Sequence, residues 1–138
     1  MTNIDVFDLC VADIFVRLYE SFPVPIDLDF SEAPDSIFEE YESSDGAFDK
    51  LVIYEKTILW LSSAGYISFE STSYDGGHGV VFTPKGLEIM KLPSSLEVPG
   101  ASLGEQLMGS LKTGALQAAG NIAKSAITQG LSIAVANA

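Results

Sequence analysis

Basic residues are scarce in this sequence. Seven lysines and arginines stand against nineteen aspartates and glutamates, which gives a formal net charge of −12. An acidic surface repels the phosphates of nucleic acid and of anionic lipid, so this balance disfavours both as partners. It favours a basic protein partner or simple solubility, and we expect binding to protein rather than to nucleic acid.

Cysteine and histidine are almost absent, with one of each. Cys10 cannot form an intramolecular disulfide, and its neighbours Val6, Leu9 and Ile14 predict that it is buried and inert. A lone histidine, His78, cannot make a typical zinc site. The sequence shows no recognisable serine–histidine–acid or cysteine–histidine arrangement. We therefore predict a non-enzymatic protein without a cofactor or a metal.

Long apolar runs are also missing, so no ordinary membrane-spanning helix is expected. The chain starts MTNIDVFD, which is acidic and unlike a secretory signal, and a cytoplasmic location is the expectation. Hydrophobic residues nevertheless make up 47% of the 138 residues. That content predicts one domain with a real core, plus an appendage.

Apolar spacing predicts three helices in the first half of the chain. The first covers about residues 5–22 and ends at Pro23, because proline cannot donate a hydrogen bond within a helix. The second is short and follows Pro34. The third covers about residues 47–64, and Gly65 is a natural stop.

Alternating apolar residues predict strands around and after these helices. Residues 26–31 suit a short edge strand. Residues 66–70 and 80–82 read as the two strands of a hairpin, with 71–79 as its loop. Thr83 then caps a closing helix that ends at Pro93.

Two segments resemble the winged helix-turn-helix family: TILWLSSAGYI at 57–67 and VFTPKGLEI at 81–89. The resemblance covers Thr57–Met90 most closely. It implies an α+β head with three helices, a β-hairpin wing and a closing helix. Many members bind DNA through the helix that is 47–64 here, so the alternative function is a DNA-binding transcriptional regulator. The lysines that could then contact DNA are Lys50, Lys56 and Lys85.

The charges depart from that DNA-binding pattern. The predicted wing, 71–79, has neither lysine nor arginine, although phosphate contacts supply most non-specific affinity. The family also contains modules that bind protein or dimerise, which the charge favours. An acidic run before the third helix is either solvated or a docking patch for a basic partner: Glu39, Glu40, Glu42, Asp45 and Asp49.

The C-terminal segment is rich in alanine and glycine and carries no net charge. We divide the chain into a head, 1–93, a linker, 94–101, and one long amphipathic helix within 102–138, about 50 Å in length. Small and apolar residues recur along one face of it in an 11-residue pattern. This stripe is predicted to bind a partner or a second copy: Leu107, Leu111, Ala115, Ala118, Ile122, Ala126 and Ile133.

Three uses of this helix remain open: self-association, packing on its own head, and reversible contact with a membrane. Lack of aromatic anchors and a polar face with only two lysines weaken the membrane option. We favour association, because so long a helix should not be buried on so small a domain. The sequence thus predicts an acidic adaptor protein that self-associates through its C-terminal helix, with the partner unidentified.

Overall fold

The computed structural model describes residues 2–35, 37, 50–92 and 101–136, and gives only the backbone for Lys50, Leu51 and 133–136. In chain order its elements are α1 (Asn3–Ser21), β1 (Ile26–Asp29), a 3₁₀ turn (Phe30–Glu32), α2 (Lys50–Ser63), β2 (Ile67–Ser68), β3 (Ser71–Ser73), β4 (Gly76–Phe82), α3 (Pro84–Lys91), α4 (Leu103–Lys112) and α5 (Leu116–Ala136). The predicted α+β class is confirmed. The second predicted helix lies mainly outside the described residues.

Helix α1 is the central element of the fold. A capping box fixes its start, since the Thr2 side chain accepts from the Asp5 amide while the Asp5 carboxylate accepts from the Thr2 amide. It ends at Phe22, directly before Pro23, as predicted. Residues 8–15 are all buried, so the middle of α1 is covered on every side.

The sheet is small and antiparallel, with β1 and β2 on either side of β4, and β3 also paired with β4. The predicted edge strand is confirmed as β1. The prediction that 71–79 is a loop is wrong, because β3 and the first half of β4 pair there. Glycine permits the close approach of β1 to β4, since a Cβ on Gly76 would lie 2.4 Å from the Leu28 carbonyl oxygen.

The core resembles the one that the sequence predicts, but in β4 the buried residues are Val80 and Phe82 rather than Val81. The apolar pattern predicts that six residues meet in one core: Ile58, Leu61, Ile67, Phe69, Val81 and Leu87. Three of them are fully buried: Ile58, Leu61 and Ile67. The other three are only partly buried: Phe69, Val81 and Leu87. Side chains alternate along a strand, so the register that buries Val80 and Phe82 turns Val81 to the other face.

The Thr-Pro-Lys-Gly segment at 83–86, where α3 begins, also caps the C-terminal end of α2. Gly65 ends α2 with a positive φ of 87°, which favours glycine. The Thr83 hydroxyl donates to the Gly65 carbonyl at 2.5 Å and accepts from the Gly86 amide at 3.1 Å. The Lys85 ammonium donates to the Ala64 carbonyl at 2.9 Å. Two otherwise unpaired carbonyl groups at a helix end are thereby satisfied.

The prediction of one long C-terminal helix is wrong. The segment forms two helices, α4 and α5, and the chain turns at Gly114, whose φ is +75°. The Thr113 hydroxyl donates back to the Gly109 carbonyl at 3.0 Å and helps to end α4. A glycine that can adopt a left-handed conformation therefore allows the chain to change direction here.

Helices α4 and α5 pack on the head of the same chain, against α1 and α3. The Tyr66 hydroxyl donates to the Ile127 carbonyl at 2.7 Å. The Leu103 amide donates to the Leu92 carbonyl at 2.9 Å, so the end of α3 lies beside the start of α4. Residues 94–100 of the predicted linker lie outside the described part of the chain. Of the three predicted uses of the segment, packing on its own head is the one observed.

Candidate functional site

The stripe predicted for self-association is largely used within the chain. Three of its members are buried against the head: Leu107, Ile122 and Ala126. Of the remaining members, Leu111 is partly buried, and Ala115 and Ala118 are exposed. The side chain of Ile133 lies outside the described part of the chain. The three buried side chains are therefore already covered within a single chain. Association or partner binding through the stripe stays a prediction.

Of the charged residues singled out from the sequence, the structure describes the side chains of only Lys56 and Lys85. The acidic run lies outside the described residues: Glu39, Glu40, Glu42, Asp45 and Asp49. The side chain of Lys50 also lies outside them. Lys56 is exposed, and its ammonium is 3.9 Å from the Glu55 carboxylate. Lys85 caps α2 and stacks over the Tyr66 ring at 4.3 Å, so it is not a free surface cation.

A polar cluster inside the molecule joins α1 to α2 and to the 3₁₀ turn. The buried Asp13 carboxylate accepts from the Tyr54 hydroxyl at 2.7 Å and pairs with the Arg17 guanidinium at 3.0 Å. Arg17 also donates to the carboxylate and the carbonyl of Glu32. Burial raises the pKa of the Asp13 carboxyl, against the lowering effect of the Tyr54 hydrogen bond and the Arg17 charge. These contacts indicate a stabilising role.

Cys10 lies beside this cluster and is fully buried, as the sequence predicts. Burial, with the nearby Asp13 carboxylate, raises the pKa of its thiol to about 12. Because the thiolate is the reactive form, Cys10 is unreactive at neutral pH.

The structure brings a serine, a histidine and an acid together on the exposed hairpin, which the sequence did not reveal. The Ser73 hydroxyl oxygen is 2.7 Å from Nε2 of His78, and Nδ1 of His78 is 3.6 Å from the Asp27 carboxylate. The Ser73 hydroxyl also donates to Asp75 in a short hydrogen bond. Its only proton is therefore engaged, and His78 Nε2 must act as the donor to Ser73. This arrangement ties β1 to the hairpin rather than activating a nucleophile.

An apolar groove runs between α1 and α2, and we call it the α1–α2 groove. Its volume is about 350 Å³, and these residues form it: Phe7, Val52, Ile53, Lys56, Thr57 and Trp60. Trp60 is 41% exposed and Val52 43% exposed. The Trp60 ring is held from both sides, edge-on by Phe7 at 5.3 Å and stacked on Tyr66 at 6.2 Å. The groove is therefore a preformed apolar surface.

A second hollow, the α1–α5 cleft, has a volume of about 530 Å³ and is more polar. Residues from both helices line it: Asp5, Asp8, Leu9, Leu116, Asn121 and Lys124. The Asp8 side chain is only 6% exposed, and its Oδ2 lies 3.7 Å from the Lys124 ammonium. Burial raises the pKa of the Asp8 carboxyl, while the Lys124 charge lowers it.

Sequence reasoning missed Asp8 and the exposure of Trp60. A signal for Asp8 was present, because α1 is apolar almost all round and any acid within such a helix must be buried or partnered. For Trp60 the sequence offered only a position on an apolar helix face. Whether another element covers that face depends on the tertiary fold.

Comparisons with known proteins add no relative: no family model, curated protein or solved structure matches this chain. Within the described residues, no helix is both long and apolar enough to cross a membrane. The same part of the chain contains no group of three or more histidine, cysteine or acidic side chains placed to hold a metal ion. The two hollows along α1 are therefore the candidate binding sites in the described part of the chain.

Proposed function

We propose that this chain is a non-enzymatic protein-binding module whose α1–α2 groove receives the apolar face of a basic, amphipathic helix from a partner protein. The observation that carries the proposal is the apolar groove with its exposed, preoriented Trp60. Tryptophan is a frequent anchor of protein interfaces, and a groove between two helices suits an incoming helix.

Charge supports a basic partner. The chain carries a net charge of −12, which attracts lysine and arginine and repels a second copy of itself. In the sequence, the acidic run that includes Asp45 and Asp49 directly precedes α2, which supplies Val52 and Trp60 to the groove. Lys56 at the groove is already paired with an acid. A helix with an apolar face and basic flanks matches these features.

The head is winged-helix-like in this proposal. The order of elements supports this part of the proposal, because it follows the pattern of the winged-helix family. Along the chain this order is α2, Gly65, the hairpin, the Thr-Pro-Lys-Gly segment and α3. The DNA-binding alternative is the weaker candidate. Lys85 is used as a cap, and no lysine or arginine occurs in 71–79. A protein-binding use of the fold agrees better with these charges.

The sole tryptophan of the chain lies in the groove and serves as the reporter for a test. We would titrate the protein with a tryptophan-free model helix made of leucine and lysine in amphipathic order. Peptides of the same composition in scrambled order, and with glutamate in place of lysine, are the controls. We expect a saturable blue shift of Trp60 fluorescence with the basic amphipathic peptide, which weakens with salt.

Val52→Glu should weaken this binding about tenfold or more, because it sets a charge in the apolar groove. Leu131→Glu is the matched control, since Leu131 is similarly exposed at 47% but does not line the groove. Equal binding of the scrambled peptide, or equal loss in both variants, would reject the groove. Tight, salt-sensitive binding of duplex DNA in the same assay would favour the regulator instead.

A further inference from the structure

The α1–α5 cleft contains a buried acceptor that the fold leaves unused. Asp8 Oδ2 is buried and receives no hydrogen bond from the described residues. Lys124, at 3.7 Å, is close enough for an ion pair but too far for a hydrogen bond. A buried carboxylate oxygen without a donor is costly, so this site is built to accept one.

The carboxylate faces a space large enough for a ligand. The cleft volume of about 530 Å³ is within the range of small-molecule sites. Asp5 lies one turn before Asp8 and also lines the cleft, whereas Lys124 is the only basic side chain among the described residues that line it. Two carboxylates against one ammonium leave an excess negative charge, which selects a positively charged ligand.

We propose that the α1–α5 cleft binds a small organic cation with a primary ammonium group, which donates a hydrogen bond to Asp8. Leu9, Leu116 and Gly120 give the cleft an apolar part suited to a short alkyl chain. Gln117 and Asn121 add amide oxygens as further acceptors. A metal ion fits less well, because the cleft offers it only two carboxylate ligands.

The probe is n-butylammonium, which has a single charge and a short chain. We would follow its binding to the full chain by two-dimensional amide NMR, with butan-1-ol as the neutral control at equal concentration. The expected result is a saturable set of shifts at the start of α1 and along the first half of α5, absent with butan-1-ol. Shifts scattered over the acidic surface, or no saturable shift, would overturn the proposal.

Two variants separate this site from general attraction to an acidic protein. Asp8→Asn removes the acceptor charge, and we expect binding at least tenfold weaker. Asn121→Arg should have a similar effect, because it sets a cation at an exposed position that lines the cleft. Ser132→Arg adds the same charge at an exposed position of α5 that does not line the cleft, and it should leave binding unchanged.

The variants also protect the test from a folding artefact. Asn121 and Ser132 are both exposed on α5, so Asn121→Arg remains informative even if Asp8→Asn fails to fold. Equal binding by Asn121→Arg and Ser132→Arg would refute the cleft as the site. The proposal does not depend on the α1–α2 groove, since different residues of α1 line the two hollows.

Discussion

Replacing Gly130 with alanine tests whether α5 rests on the head in solution. A Cβ on Gly130 would lie 2.4 Å from Cε1 and 2.5 Å from the hydroxyl of Tyr66, and 2.7 Å from Ile89 Cδ1. Tyr66 and Ile89 are both fully buried, so neither side chain has room to move away. In an undocked helix the same methyl group would meet only solvent.

Gly130→Ala should destabilise the protein if α5 is docked on the head and stabilise it if α5 is undocked. Carbon atoms in contact stay about 3.5–4.0 Å apart, so α5 would have to retreat by about 1 Å. Overpacking of this kind costs about 1–3 kcal/mol. Strain on the Tyr66–Ile127 hydrogen bond costs about 1 kcal/mol, and the better helix propensity of alanine returns about 1 kcal/mol. We expect Gly130→Ala to lower the free energy of unfolding by about 1–3 kcal/mol.

Gly109→Ala in α4 is the matched control. No heavy atom lies within 4 Å of a Cβ at Gly109, so this substitution should stabilise the protein by up to about 1 kcal/mol. Urea titration and thermal melting would measure both, with about 3–5 °C in Tm for each kcal/mol. If Gly130→Ala stabilises the protein as much as Gly109→Ala does, α5 is not docked on Tyr66.

Two further predictions concern buried carboxylates. Tyr54→Phe removes a donor to the buried Asp13 and should cost about 1–3 kcal/mol in urea unfolding, whereas Tyr74→Phe, at a residue 96% exposed, should cost almost nothing; equal effects would count against the cluster. The pKa of Asp8 is raised in the folded protein, so the folded state binds this proton more tightly than the unfolded state does. The protonated Asp8 therefore adds fully to the free energy of unfolding below pH 3.8, and this contribution is lost as the pH rises through the pKa of Asp8 in the folded state. Asp8→Asn should therefore become more stable relative to the parent protein as the pH rises from about 4 to about 7. If it instead becomes more stable relative to the parent as the pH falls, the pKa of Asp8 is not raised in the folded state.

The parts of the fold that the sequence predicts correctly depend on local chemistry. Pro23 ends α1, and Thr83 caps α3, because each acts on backbone groups within a few residues. Gly65 ends α2 for a similar reason, as glycine accepts a positive φ. Such signals are contained in short segments, so one sequence is enough to read them.

Strand β3 could not be read in the same way. Residues 71–73 are polar and exposed, so they show no apolar alternation, and β3 forms through its pairing with β4. The carboxylate of the candidate cleft is similar. Asp8 is identifiable as an acid in an apolar helix, but its companions in the cleft come from α5, more than a hundred residues later. Long-range pairings of this kind are set by the tertiary fold.

The placement of the C-terminal helices follows from α1 rather than from the helices themselves. From its length alone, the C-terminal segment is predicted to be too long for so small a head to bury. The converse requirement is stronger: a helix buried at every position over residues 8–15 needs neighbours on all sides. The sheet and α2 cannot supply them all, and α4 and α5 pack against the rest of α1. Helix α5 contributes three fully buried alanines: Ala119, Ala123 and Ala126.

This cover is incomplete at the start of α1, beside the groove where we propose that a partner binds. Ile4 is 64% exposed there, and Phe7 is only partly buried beside Trp60. The apolar face that α1 shares with α2 is continuous with its buried core, and no helix among the described residues covers the α1–α2 groove. Because α4 and α5 already occupy other faces of α1, an incoming helix would meet the chain at the α1–α2 groove and would complete the cover that they begin.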